Sequence, residues 1–166
     1  MKIRVITRIF FILLLENSSI TKLPLHSIMD KAAFSLEKYS FDKALIDFTI
    51  SGDRELEINF KPSGIFKQQN ENSVFELKFI FEAKSKDISK PFVTIECNSI
   101  FHFANKITFD EIPSFFYVNS IAIIFPYVRA FVSTVTLQSN HPPIILPTLN
   151  LSSLEQQLRE KTTEEK

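Results

Sequence analysis

The sequence predicts an α+β fold, a four-stranded antiparallel meander followed by a long helix and a short C-terminal helix. Two observations carry that expectation. Over the first two-thirds of the chain, apolar residues alternate with polar ones, the period of strands with one packed and one solvated face. After Ala104 the apolar spacing becomes i, i+3, i+4, the period of a helix. Strands first and helices after is the α+β pattern, and 166 residues suit one domain.

The first strand opens with Phe34, Leu36, Tyr39 and Phe41 on one face, and a phase slip at Glu37-Lys38 signals a bulge. Ile46, Phe48 and Ile50 resume the alternation up to a turn at Ser51–Arg54, "SGDR". Leu56, Ile58 and Phe60 form the second run. "KPSG", Lys61–Gly64, and "KQQNENS", Lys67–Ser73, read as a polar loop interrupted by Ile65 and Phe66. The third run sets Phe75, Leu77, Phe79, Phe81 and Ala83 against Glu76, Lys78 and Glu82. The fourth sets Val93, Ile95, Cys97, Ser99, Phe101 and Phe103 against Thr94, Glu96, Asn98 and His102.

In the helical part, Asp110 is placed to cap a short turn through "EIPSFF". Ile121, Ile124, Phe125, Val128, Val132 and Val135 then form an apolar stripe over residues 121–137, with Ala122, Phe131 and Leu137 on its flanks. Pro126 interrupts it. Either the well-formed helix begins near Phe125-Pro126, or it kinks there over the small Ala122. Asn140 suits a left-handed cap, and Pro142-Pro143 stop the helix. "IILPTLN" is extended, and Ser152–Lys161 is a short charged helix fading into a polar tail.

Composition narrows the function classes. Two glycines and no tryptophan argue against a Gly-rich phosphate loop or a repeat solenoid. Formal net charge is 0, so no global field favours nucleic acid or an anionic membrane. One cysteine, Cys97, rules out an internal disulfide and points to a reducing, cytoplasmic setting.

Residues 1–28 read as an N-terminal extension to a domain at 29–166. The extension carries Lys2, Arg4, Arg8 and Lys22 against Glu16, leaving a net −3 for the rest. Its apolar core, "IFFILLL" at Ile9–Leu15, falls well short of the ~20 residues that span a bilayer, so no stable membrane insertion is expected. No A-x-A-like cleavage site follows it, and Met29 opens "MDKAAFSLEKYSF" like the start of a cytosolic domain. A start called too early, a loose arm, an ordered extra segment and a targeting signal are the open readings.

Catalytic chemistry does not assemble. His26, His102 and His141 lack metal spacing, and Cys97 has no second thiolate beside it. Cys97 falls on an apolar strand face as a buried inert thiol, and His102 falls on the solvated one. Asp110-Glu111 reads as helix-start electrostatics rather than an acid/base pair. Arg129 is the lone charge on the long helix, where an arginine ordinarily has a buried carboxylate or carbonyl partner, so it and Pro126 are assigned structural roles. The chain is therefore expected to be no enzyme and to use no cofactor. Its aromatic and branched apolar residues exceed what one sheet and two helices bury. The excess points to an oligomer interface, a client-binding surface, or both. Ile121, Ile124, Phe125, Val128, Val132 and Val135 are the expected interface.

One stretch is specific. Ile124-Phe125-Pro126-Tyr127-Val128-Arg129, then Pro143, then Ile145-Leu146-Pro147-Thr148-Leu149-Asn150 resemble the C-terminal half of the protein-export chaperone family SecB. "NSIFHF", Asn98–Phe103, is similar to that family's fourth strand, with Ser99 where glycine is common. "AFSLEKYSFDKALIDF", Ala33–Phe48, resembles its first strand loosely, so the likeness spans roughly residues 32–154. The resemblance implies an ATP-independent holdase, a homotetramer built as a dimer of dimers, that binds unfolded polypeptides and passes them to the SecA motor. It implies that clients lie in apolar grooves beside Pro142–Asn150, with Ile144, Ile145, Leu146 and Leu149 as lining. Phe48, Phe60, Ile65, Phe66 and Phe101 are further candidates, as aromatic and apolar surface near strand ends. The sequence departs from the family in lacking a glycine after the long helix, where Gln138-Ser139-Asn140-His141 stands, and in its mixed-sign tail. Some SecB-like proteins instead guard an antitoxin, and that reading stays open.

Overall fold

The computed structural model describes residues 32–50, 55–69 and 71–165. The extension assigned to residues 1–28 and the turn at Ser51–Arg54 lie outside the described residues. Strands β1 (Phe34–Ile46), β2 (Leu56–Gln68), β3 (Ser73–Ser85) and β4 (Val93–Phe103) pair antiparallel. A long helix α1 (Ser114–Gln138) and a short one, α2 (Ser153–Glu160), follow. A fifth strand, β5 (Thr162–Glu165), lies parallel to β2.

The sheet order is β1-β4-β3-β2-β5, which corrects two expectations. The first is the simple meander. β2, β3 and β4 are neighbours in sequence order, but β1 pairs with β4, so the chain crosses the sheet between β1 and β2. The second is the purely antiparallel four-stranded sheet. The polar tail is a strand, making the sheet mixed. Helix α2 delivers the chain to the edge of β2, where Gly64 N–H donates to Lys161 C=O at 3.2 Å and Lys67 pairs with Glu165 at 2.9 Å.

β3 and β4 match their alternation residue for residue, and Phe75, Leu77, Phe79, Phe81, Ala83, Val93, Ile95, Cys97, Phe101 and Phe103 are all buried. β1 carries the expected bulge at Glu37 and a second at Asp42. It stops at Ile46. Phe48–Ile50 form a 3₁₀ turn rather than a strand, because the Asp47 carboxylate accepts the Thr49 N–H at 3.3 Å and closes a local turn.

β2 runs straight through the expected loop. Gly64 N–H points to the outer edge, so Pro62, two residues before it, has its missing N–H on that same edge, where no bond to β3 is lost. Gly64 serves close approach. A Cβ there would lie 2.2 Å from Phe75 Cζ and 2.9 Å from Thr162 Oγ1.

Helix α1 starts seven residues before the expected stripe and continues through Pro126, so it does not begin at the proline. Pro126 and Ala122, whose carbonyl the proline leaves without its helical donor, are both exposed, and water can satisfy that carbonyl. Thr108, not Asp110, caps the turn before the helix. The Glu111 carboxylate accepts its N–H at 2.8 Å and its hydroxyl at 3.0 Å. At the far end Asn140 takes the expected left-handed conformation, with φ 57°.

α1 lies across one face of the sheet. Phe116 sits at the centre of an aromatic cluster, its ring 4.7 Å from Phe34 and Phe75 and 4.9 Å from Phe103. Farther along, Phe131 stacks on Phe41 at 3.9 Å and Phe125 meets Phe60 at 5.8 Å. By length and composition α1 could cross a membrane, yet Ile121, Ile124, Val128 and Val132 have no exposed surface and pack into the core.

Candidate functional site

The segment leaving α1 is held back against it by two hydroxyls. Thr136 Oγ1 accepts the Ile144 N–H at 3.0 Å while donating to Val132 C=O at 2.7 Å. Ser133 Oγ donates to Ile144 C=O at 3.1 Å. Both backbone groups of one residue are thereby fixed, which compensates for their removal from water. His141, at the start of the segment, stacks on Phe48 with ring centres 4.0 Å apart. Ser133 and Thr136 carry no sequence signal for this role, because mid-helix hydroxyls ordinarily bond back to their own helix.

Pinned this way, the segment alternates. Ile144 and Leu146 are buried, whereas Ile145 between them is 69% exposed. Leu149 and Leu151 are half-buried over the core. Of the other groove candidates, Phe60 and Phe48 are half-buried on the same face of the sheet as α1. Phe66 and Phe101 close the core with no exposed surface and, in this conformation, offer a ligand nothing. Ile65 is exposed, but it stands on the opposite face of β2, so the structure does not bring it to the others.

Two exposed apolar groups were not singled out by the sequence. Leu56 and Ile58, 42% and 37% exposed, share the inner face of β2 with Phe60. On α1, the side opposite the buried stripe carries Phe115, Ile123 and Tyr127, and Tyr127 lies 4.3 Å from Tyr39 of β1. The second set has an i+4 spacing, readable in the sequence but masked by the stronger stripe. The six stripe residues themselves are occupied by the chain's own sheet, Val135 half-buried and the rest buried. Arg129 is half-buried and, among the described residues, forms no ion pair, so the expected buried carboxylate is not on this face.

The outer face of the sheet is a lattice of ion pairs: Lys61–Glu82, Lys67–Glu76, Lys78–Glu96, Lys84–Glu57 and His102–Glu37. A shallow cavity of about 430 Å³ lies on it, floored by Ile65, Ile100 and Asn98. Asn98 donates to Asp42 at 2.6 Å, and this bond holds the Asp42 carboxyl below its ordinary range. On the inner face burial pushes the Cys97 thiol up to about 11, which makes it unreactive. No group of three His, Cys, Asp or Glu is placed to hold a metal ion among the described residues. What the site offers is apolar surface and backbone.

Comparison with known proteins agrees. The family model described as SecB, preprotein translocase subunit SecB, matches residues 33–162. An uncharacterised protein of Methanocaldococcus jannaschii is 30% identical over 114 residues, 66% of this chain and 73% of that protein. A solved structure of the SecB-like chaperone of Mycobacterium tuberculosis, in complex with a ChAD peptide from the HigA1 antitoxin, aligns with a TM-score of 0.53. That alignment has 13% identity, covers 70% of this chain and 91% of that one, and is a likeness of fold. With its strands, both helices and the segment between them inside the matched range, the chain belongs to the SecB family, a family of chaperones and not of enzymes.

Proposed function

We propose that the chain is an ATP-independent holdase of the reducing cytoplasm that binds unfolded polypeptides on the apolar surface between β2 and the segment Pro142–Asn150. The observation that carries this is the exposure of Ile145, Leu56 and Ile58 beside a core that is otherwise closed. Exposed apolar groups without convergent polar chemistry suit ligands recognised by many weak, undirected contacts. Ile145, Leu149, Phe60, Leu56 and Ile58 form the contact surface. Ile144 and Leu146 anchor the segment beneath it, with Phe48 at its start.

The test is light scattering of a chemically unfolded client diluted with and without the protein, in the absence of ATP. Suppression of aggregation that weakens on Ile145→Asp supports the reading, and undiminished aggregation overturns it. Assembly is the second part of the proposal. A homotetramer would place the outer ridge of α1, Phe115, Ile123 and Tyr127, against a second copy, since the buried stripe is already used. A solution mass of one chain would overturn that part.

Service to one dedicated partner, as an antitoxin chaperone, competes with delivery of clients to SecA. The ion-pair lattice favours the dedicated partner. Its cations and anions are matched, so the outer face presents no net acidic field to a basic motor surface. Equal affinity for many unrelated unfolded chains would favour export; one client held far more tightly would favour the dedicated role.

A further inference from the structure

The outer edge of β2 is only partly covered. β2 spans Leu56–Gln68, but β5 pairs only with Gly64–Lys67, leaving Leu56–Ser63 without a strand partner on that side among the described residues. The phase of the edge is fixed by Gly64, whose N–H donates outward to Lys161 C=O. Strand backbone groups alternate in direction, so Leu56, Ile58 and Phe60 also aim their N–H and C=O groups outward, while Glu57 and Asn59 bond to β3. The Gln157 carboxamide meets the Phe60 carbonyl at 3.3 Å from above. Pro62 has no N–H to offer and closes the strip at its upper end.

We infer that this strip, Leu56–Phe60, takes up a segment of unfolded client as an added β-strand; the inference rests on the holdase reading above and specifies how that site binds. β5 is the precedent within the chain. Thr162-Thr163-Glu164-Glu165 has no apolar residue, yet it seats on the same edge through its backbone. A client strand placed below β5 continues that line. Its backbone satisfies the outward groups of Leu56 and Ile58, and its inward side chains meet Leu56, Ile58 and Phe60. Backbone groups are common to every polypeptide, so pairing supplies affinity without reading sequence, and the inner apolar face selects alternating apolar residues. The strip is about five residues long, roughly 17 Å of strand. Pro62 above it and the exposed charges Glu55, Glu57 and Lys61 keep it too short and too charged to template a run of copies.

The experiment is amide hydrogen exchange by NMR on the full chain, with reduced and carboxymethylated α-lactalbumin as the permanently unfolded client. Client binding is followed in parallel by sizing chromatography. The amides of Leu56, Ile58 and Phe60 should slow at least tenfold on client addition, while those of Glu57 and Asn59 stay as they were. Ile58→Pro, which deletes one outward N–H and leaves the bonds to β3, should weaken client binding at least tenfold. Ile58→Ala, which deletes only the side chain, should weaken it a few-fold. If the client binds but the three amides exchange unchanged, or if the two variants bind equally, strand addition is wrong and the holdase reading stands. Protection already present without client and rising with protein concentration would assign the edge to a second copy and also overturn the inference. If the client does not bind at all, both readings fall.

Discussion

The two faces of the sheet come from the same strands and the same alternation, but they hold their residues by different forces. The inner face is phenylalanine, isoleucine and leucine packed under α1 without exposed surface. The outer face is a lattice of lysine–carboxylate pairs whose side chains remain partly in water. Packing energy scales with area removed from water and with the cavity a deletion leaves, so the inner face is intolerant. Exposed ion pairs gain little over their hydrated partners, so the outer face keeps the protein soluble without holding it together. A chaperone that must display some apolar surface needs both. One face is locked, so that exposure is confined to the edge at β2 and to Ile145.

The largest expected break is Val132→Asp. Val132 has no exposed surface, and among the described residues no cation faces it with an ion pair. An unpaired buried carboxylate costs roughly 3–5 kcal/mol, a large share of the 5–15 kcal/mol that holds a domain. The expected result is loss of the cooperative urea transition, not only a change of assembly. A folded variant of lower solution mass would instead place Val132 in an interface between copies.

Thr136→Val is the intermediate case, a polar group inside the packed face. It keeps the shape and removes the acceptor for the Ile144 N–H. Leaving that buried donor unpaired is expected to cost about 1–3 kcal/mol. The release should be local, so limited proteolysis should cut Pro142–Asn150 faster than in the parent. Equal cutting would mean that the apolar side chains of Ile144 and Leu146 hold the segment unaided.

On the outer face, Lys78→Ala removes a pair with Glu96 in which the lysine side chain is 45% exposed. A loss of about 0.2–1 kcal/mol is expected, shrinking further in 1 M salt. A larger loss in urea unfolding would mean that the lattice acts as a coupled network.

The same contrast decides what could be read in advance. β3, β4 and the stripe of α1 were legible because burial on one side imposes a period on the sequence. Lys61–Gly64 was misread because proline and glycine ordinarily mark a turn, whereas here Pro62 exploits an open edge and Gly64 makes room for Phe75. β5 left no pattern at all, since Thr162–Glu165 buries little and its place is set by the edge it joins. β1 pairs with β4 rather than β2, and no local signal specifies which distant strand is a neighbour. For the site, the segment Pro142–Asn150 was legible through the family motif. Leu56 and Ile58 were visible only as strand residues, because an open backbone edge has no side-chain signature.

The smallest effect concerns pH and separates the faces once more. On the inner side, the Cys97 thiol at about 11 does not titrate in the physiological range. Acid sensitivity therefore belongs to exposed carboxylates such as Glu111, held below its ordinary 4.5 first by the Thr108 N–H and then by the Thr108 hydroxyl. Because the folded value is lowered, this contribution is present above the unfolded value and is lost as pH falls through the folded one. Thr108→Val removes the hydroxyl and keeps the N–H, so the Glu111 carboxyl should move only part of the way back toward 4.5 in an NMR titration. A full return would mean that the hydroxyl orients the cap and that the N–H bond fails without it. No movement would assign the whole depression to the backbone. In either case the inner face, with no exposed carboxylate to protonate, should keep its packing while the cap loosens.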